Sequence, residues 1–96
     1  MENLILIYNK VEESKEILSE MIENLKKQGA LNFDMFYYLQ DGLKELSTVL
    51  EKKQEINLVF CKKWDNIMGW APKVFEDHPL LDLLREIDEA IMKIRN

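Results

Sequence analysis

Few side chains in this sequence could do chemistry, and their spacing limits what that chemistry could be. There is one cysteine, Cys61, and one histidine, His78. A single thiol excludes an internal disulfide and a thiolate zinc cluster, and a single imidazole excludes any site that needs two. Cys61 stands beside Lys62 and Lys63, and nearby positive charge makes a thiol a better nucleophile by favouring the thiolate. No histidine lies near it in sequence to act as its base, although a fold could bring His78 close; the simpler reading is a structural cysteine. Ser14, Ser19, Ser47 and Thr48 have no glycine-rich elbow around them, and no glycine-rich loop exists to cradle a phosphate.

The carboxylates offer little more. Di-metal helical bundles use Glu-x-x-His pairs on two helices, and the sequence contains none. Glu76-Asp77-His78 could attract a cation, but the same triplet reads as a helix cap with a solvated histidine. Glu12, Glu16, Glu20 and Glu23 fall on one flank of a helix, where they could hold a metal or imitate a row of phosphates; the plainer reading is a solvated polar face. No metal and no cofactor is expected.

Leu83-Leu84-Arg85-Glu86-Ile87-Asp88-Glu89 resembles the opening of the all-helical chorismate mutases. In that family a Leu-Arg-x-x-Ile-Asp pattern starts the first helix and its arginine contacts a substrate carboxylate; Arg85 is the matching position. The resemblance covers seven residues near the end of the chain. Arg95 is the only other arginine, and no later segment supplies the family's further basic residues. The pattern therefore reads as helical periodicity.

The aromatic residues are more informative. Phe33, Phe36, Tyr37 and Tyr38 crowd one short segment, and successive helical residues point about 100° apart, so all four cannot enter one core. At least one tyrosine should lie on the surface. Trp64, Trp70 and Phe75 form a second group. Tryptophan and tyrosine are preferred interface anchors because they bury much area and keep a polar handle. Tyr37, Tyr38, Trp70 and Phe75 are the candidate partner-binding residues. The competing reading places Trp64 in the core, Trp70 over the bundle end, and the tyrosines over the end of the first helix.

The elements that must position these residues are helices. Leu4, Val11, Leu18 and Leu25 recur every seven residues, with Ile7 and Met21 on the second seam position and Ser14 between them. This predicts an amphipathic helix over residues 3–28, about 40 Å long. Gly29 suits the left-handed residue just past its end. Asn32 can cap a second helix, with Asp34 in its first turn and Leu31 stapled against Phe36. Phe36, Leu39, Leu43, Leu46 and Leu50 then repeat at three and four. The same phase continues through Lys53 and Asn57 to Phe60, Trp64 and Ile67. Residues 51–55 are all polar but include no glycine, proline, asparagine or aspartate to build a turn. The preserved phase favours one helix over residues 33–68, about 54 Å long; a break near residues 51–55 would give four helices instead. Gly69-Trp70-Ala71-Pro72 ends the central helix, residues 69–78 form a loop, and Asp77 caps a last helix over residues 78–95, with Pro79 in its first turn.

An all-α antiparallel bundle follows, one domain over residues 1–96, which is too short for a second core. A long central helix flanked by two shorter ones covers itself poorly, so a two-fold homodimer is expected. The chain has 13 basic and 18 acidic residues, a net charge of −5. The basic residues come as scattered pairs rather than a stripe, so no nucleic-acid partner is expected. The longest apolar run, residues 4–8, is far short of the roughly 20 residues that span a bilayer, and the N-terminus lacks the basic flank of a signal peptide. No membrane association and a cytoplasmic location are expected. Eleven lysines against two arginines, with frequent isoleucine and asparagine, suggest an AT-rich bacterial or phage genome.

These features point to a non-enzymatic protein-protein interaction module: an adaptor, a regulator or an inhibitor/immunity-type protein acting through exposed aromatics. The alternative is a small helical enzyme or ligand carrier with a site between helices or across a dimer, in which Arg85, Glu86, Lys63 and His78 would supply the polar groups.

Overall fold

A computed structural model describes residues 2–29 and 33–95. Four helices follow in order: α1 (Glu2–Lys27), α2 (Asp34–Glu51), α3 (Leu58–Val74) and α4 (Pro79–Arg95). Each packs on its neighbours in sequence, and α4 returns to α1, closing a ring with no close backbone contact across either diagonal. The pairs are antiparallel. Glu12 of α1 meets Ser47 of α2 while Ser19 meets Gln40, and Trp64 of α3 reaches Asp88 of α4. Lys10 near the start of α1 forms an ion pair with Glu86 of α4. The beginning of α1 thus meets the end of α4.

The chain takes the four-helix alternative, and the continuous helix over residues 33–68 does not form. Its length alone excludes it, since the molecule's longest dimension is 42 Å. The break needs no glycine. Lys53 adopts the left-handed region, φ 56°. Its N–H reaches the Leu50 carbonyl at 3.3 Å, and the Gln54 N–H reaches the Val49 carbonyl at 2.9 Å. These two bonds form a Schellman closure, which satisfies carbonyls a helix end leaves open. Asn57 is not a seam residue: it caps α3, its side chain accepting from the Phe60 N–H at 2.8 Å. With the second half folded back, α3 rests on both α2 and α4. The poor self-coverage that argued for a dimer is gone.

Two further boundaries differ from expectation. Residues 69–74 are helix rather than loop, because α3 continues through Gly69 and Pro72 to Val74. Ile67, Ala71 and Phe75 are all buried at a spacing of four, so continuing the helix keeps three core contacts. Pro72 lacks the N–H that would bond to Met68, a cost proline carries inside a helix, which the burial of Ala71 and Phe75 offsets. Asp77 does not cap α4. It sits at φ 62°, and His78 takes the cap, its Nδ1 accepting from the Leu80 N–H at 3.0 Å. Pro79 begins the helix as expected. Gly29 does adopt a left-handed φ of 86°. The Asn32 cap and the Leu31 staple lie outside the described residues.

The core runs the length of the bundle. Val11 and Leu18 from α1, Leu39, Leu43 and Leu46 from α2, Trp64 and Ile67 from α3, and Leu84, Ile87 and Ile91 from α4 are fully buried. Ser14, the polar break in the first heptad stripe, is also fully buried. Its hydroxyl donates to the Lys10 carbonyl at 2.7 Å, so no hydrogen-bonding capacity is stranded. Gly42 marks the close approach of α2 to α3; a Cβ there would stand 2.9 Å from Ile67 Cδ1. Gly69 has open space instead. Gly69→Ala should therefore stabilise the protein by about 0.5–1 kcal/mol through helix propensity alone. A urea titration followed by circular dichroism will read this, and a loss of stability would mean that α3 does not extend past Met68.

Candidate functional site

The sequence's two aromatic groups meet at one end of the bundle, where α1 ends, α2 begins, α3 ends and α4 begins. The order α2 to α3 imposes this, because antiparallel helices bring Phe36 near the start of one against Phe75 beyond the end of the other. The Phe36 and Phe75 rings meet edge to face with centroids 5.8 Å apart, and Trp70 lies 6.4 Å from Phe75. Phe75 is 2% exposed. It belongs to the core and leaves the set of partner-binding candidates. Trp70 packs partly buried against that core. Trp64 takes no part in this end. It is fully buried in mid-bundle, parallel to Phe60 at 6.1 Å, with its indole N–H donating to Asp88 at 3.0 Å.

Tyr37 and Tyr38 remain outside, 40% and 38% exposed. Their divergence on α2 sends them to different neighbours. Tyr37 lies toward α1, where Lys26 Nζ sits 5.7 Å from its ring and 5.9 Å from that of Phe33. The Lys26 ammonium is held above its usual pKa, chiefly by a hydrogen bond to Tyr37. Tyr38 lies toward α3, with Lys63 Nζ 5.2 Å from its ring and 3.7 Å from Glu45. Met35 and Val74 are also exposed. Seven residues separate Met35 from Gly42, and seven separate Ile67 from Val74. The Gly42–Ile67 approach thus puts Met35 and Val74 on the same seam, two turns farther on. The result is an apolar and aromatic surface on the outside of α2 and the end of α3.

The polar candidates do not converge. Lys63 serves Tyr38 and Glu45, and Glu86 serves Lys10. His78 and Arg85 do share a cleft of about 580 Å³ at the α3–α4 turn. Lys73 adds a second positive charge there beside Arg85, and Glu76, Asp77 and Asp82 bring three negative ones. The His78 Nδ1 is already committed to the helix cap. Cys61 is buried, packed away from any attacking geometry. Among the described residues no group of three or more histidine, cysteine, aspartate or glutamate side chains is placed to hold a metal ion.

The carboxylate row on α1 is broken by packing. Glu12 is only partly solvated: it accepts a hydrogen bond from the Ser47 hydroxyl and pairs with Lys15 at 3.1 Å. The Ser47 bond, with help from Lys15 and Tyr8, holds the Glu12 carboxyl below its ordinary pKa against the opposing effect of burial. A carboxyl lowered on folding stabilises the protein above its unfolded pKa, and that contribution is lost as pH falls through the lowered value. Ser47→Ala should therefore cost about 1 kcal/mol at neutral pH, and the difference from wild type should shrink below about pH 4. Urea midpoints at neutral and acidic pH will test this; a difference that grows on acidification would contradict the pairing.

Comparison with protein-family models, with curated proteins and with solved structures finds no match. No helix among the described residues is long and apolar enough to cross a membrane. The aromatic surface was legible as a cluster in the sequence. That Phe75 turns inward was not, because its place depends on where α3 ends.

Proposed function

We propose that this chain is a non-enzymatic protein-interaction module that binds a protein partner through Tyr37 and Tyr38, with Met35 and Val74 beside them. The observation that carries the reading is the pair of adjacent tyrosines, each about two-fifths exposed on a bundle whose core is already closed. Large amphipathic rings left at the surface cost little conformational entropy to immobilise and supply much contact area, which is why they dominate interface energetics. The lysines over each ring add charge at the rim. The acidic balance of the remaining surface would steer a basic partner toward it. A cytoplasmic adaptor, regulator or inhibitor/immunity-type protein suits this description, and a second copy of the chain is one partner to be separated from a foreign one.

Site-specific photo-crosslinking separates them. A crosslinker at Tyr37 or Tyr38 in the producing cell should give a discrete adduct that is absent when the same group is placed at Lys44. Light scattering across a concentration series then tells whether the adduct is a second copy. Equal labelling from Tyr38 and Lys44, or none, would end the reading. The Tyr37→Ala/Tyr38→Ala variant should keep stability within about 1 kcal/mol, since half-exposed side chains contribute little to folding.

A further inference from the structure

The α2–α3 turn is built against the preferences of its own residues. Glu51-Lys52-Lys53-Gln54-Glu55 are all good helix formers. Lys53 is held in the left-handed region at φ 56°, which is costly for a residue with a Cβ, and helix closures of this kind usually place glycine there. The turn also leaves the apolar phase intact. Leu39, Leu43 and Leu46 of α2 and Trp64, Ile67 and Ala71 of α3 are buried. All six would lie along one face if residues 34–74 ran as a single helix. Lys53 and Asn57 are the polar positions of that face, and they fall between its two apolar halves. Such a helix would be about 60 Å long. The molecule measures 42 Å, so the two halves of that helix would need a second copy to cover them.

The rest of the bundle divides at the same point. Hydrogen bonds from Ser47 to Glu12 and from Gln40 to Ser19 tie α2 to α1, and the Trp64 bond to Asp88 ties α3 to α4. The ion pairs Lys10–Glu86 and Lys63–Glu45 join one half to the other and are partly exposed, where such pairs contribute little. Cohesion between the halves therefore rests on the shared core, which the same half of a second copy completes equally well. A short, strained link between two such halves invites exchange.

We propose that the α2–α3 turn is a hinge at which two copies of this chain exchange their α3–α4 halves. Residues 34–74 straighten into one helix, and the two long helices pair antiparallel about a two-fold axis at the turn. Each lobe of the dimer repeats the bundle, with α1 and α2 from one copy and α3 and α4 from the other. Straightening relieves Lys53 and continues the helical bonds through residues 52–57. It gives up the Schellman closure and the Asn57 cap. These local effects oppose one another, so chain concentration decides the form, and the monomer keeps its four helices. In the dimer Tyr37 and Tyr38 come from one copy and Val74 from the other, and the lobes carry one such surface each at opposite ends. The exchange does not rest on the tyrosine reading; bivalent binding by the dimer does.

The test unfolds the full chain in urea, refolds it over a range of concentrations and reads its mass by light scattering. A dimer fraction that grows with concentration is expected. Lys53→Gly removes the left-handed strain and weakens the long helix, so its dimer should be about tenfold or more weaker. Asn57→Ala removes the cap and favours the long helix, so its dimer should be about tenfold or more tighter. Each change counts twice, once per hinge. Tyr37→Ala/Tyr38→Ala should exchange as wild type does, so failure here is distinct from failure of the tyrosine surface. Chains labelled with heavy nitrogen are then refolded together with unlabelled ones, and a carbodiimide couples Lys10 to Glu86. Coupled peptides from the dimer should join a labelled chain to an unlabelled one. A monomer at every concentration, for wild type and Asn57→Ala alike, overturns the proposal. So does a Lys53→Gly dimer as tight as wild type. Coupled peptides that carry a single label would mark a side-by-side dimer and overturn it too.

Discussion

Trp64→Ala will remove about 3–5 kcal/mol of stability, the range for emptying a large aromatic site in a closed core. A domain of this size has about 5–15 kcal/mol in total, so the variant will be close to unfolding at room temperature. Two separate losses combine. The indole is fully buried and parallel to Phe60 at 6.1 Å, so its removal opens a cavity between α3 and α4 that neighbouring helices can only partly fill. Its N–H also donates to Asp88 at 3.0 Å, and the half-buried carboxylate loses that donor. Trp64→Phe separates the two. It keeps most of the apolar volume and removes only the donor, at an expected cost of about 1–3 kcal/mol. Urea denaturation followed by circular dichroism measures both. A cost below about 1 kcal/mol for the alanine variant would place Trp64 outside the core.

Trp64 also shows what the sequence made legible. Its place on an apolar stripe with Phe60 and Ile67 follows from spacing alone, and all three are buried. The same holds for Val11, Leu18, Leu43, Ile87 and Ile91. Where that spacing misleads is at residues 51–57. The apolar phase of α2 and α3 runs through the gap unbroken, because a seven-residue interval fits two helical turns as well as it fits a closure, a short link and a cap. The turn was illegible because a lysine forms it. A left-handed non-glycine residue costs about 1 kcal/mol or somewhat more, and the two backbone bonds of the Schellman closure offset it. One signal was present. Asn57 on an apolar seam is a poor core residue and a good cap, and Phe60 three positions later is the residue whose N–H it accepts. The same kind of error put Asp77 rather than His78 at the start of α4. Aspartate is the commoner cap, but the chain needs a left-handed residue first, and aspartate tolerates that conformation better than histidine followed by proline does.

The candidate site was less legible than the fold for a related reason. The angle between successive helical residues required at least one tyrosine at the surface, and both Tyr37 and Tyr38 are there. Phe75 could not be placed. Its position depends on α3 persisting through Pro72, which local sequence rules oppose and burial of Ala71 and Phe75 favours. Tertiary packing wins, and an aromatic residue expected at an interface becomes the wedge that closes the bundle end.

Phe75→Ala should therefore behave as a core variant rather than a surface one, and cost about 3 kcal/mol or more. Each aromatic partner it loses, Phe36 at 5.8 Å and Trp70 at 6.4 Å, contributes on the order of 0.5–1.5 kcal/mol beyond simple burial. Trp70 loses the ring that holds it, so its fluorescence should shift to the red before global unfolding begins. Tyr37→Ala/Tyr38→Ala, one helix away, removes more aromatic surface in total and should cost about 1 kcal/mol or less. The contrast between neighbouring aromatics in one urea series divides those that build this end from those left to bind. If Phe75→Ala were as mild as the tyrosine pair, Phe75 would return to the binding surface, and the end of α3 would have to be an open flap rather than a packed cap. A mild tyrosine pair beside a severe Phe75 would instead leave Tyr37 and Tyr38 as side chains that the fold can spare, which is the condition a partner-binding surface must meet.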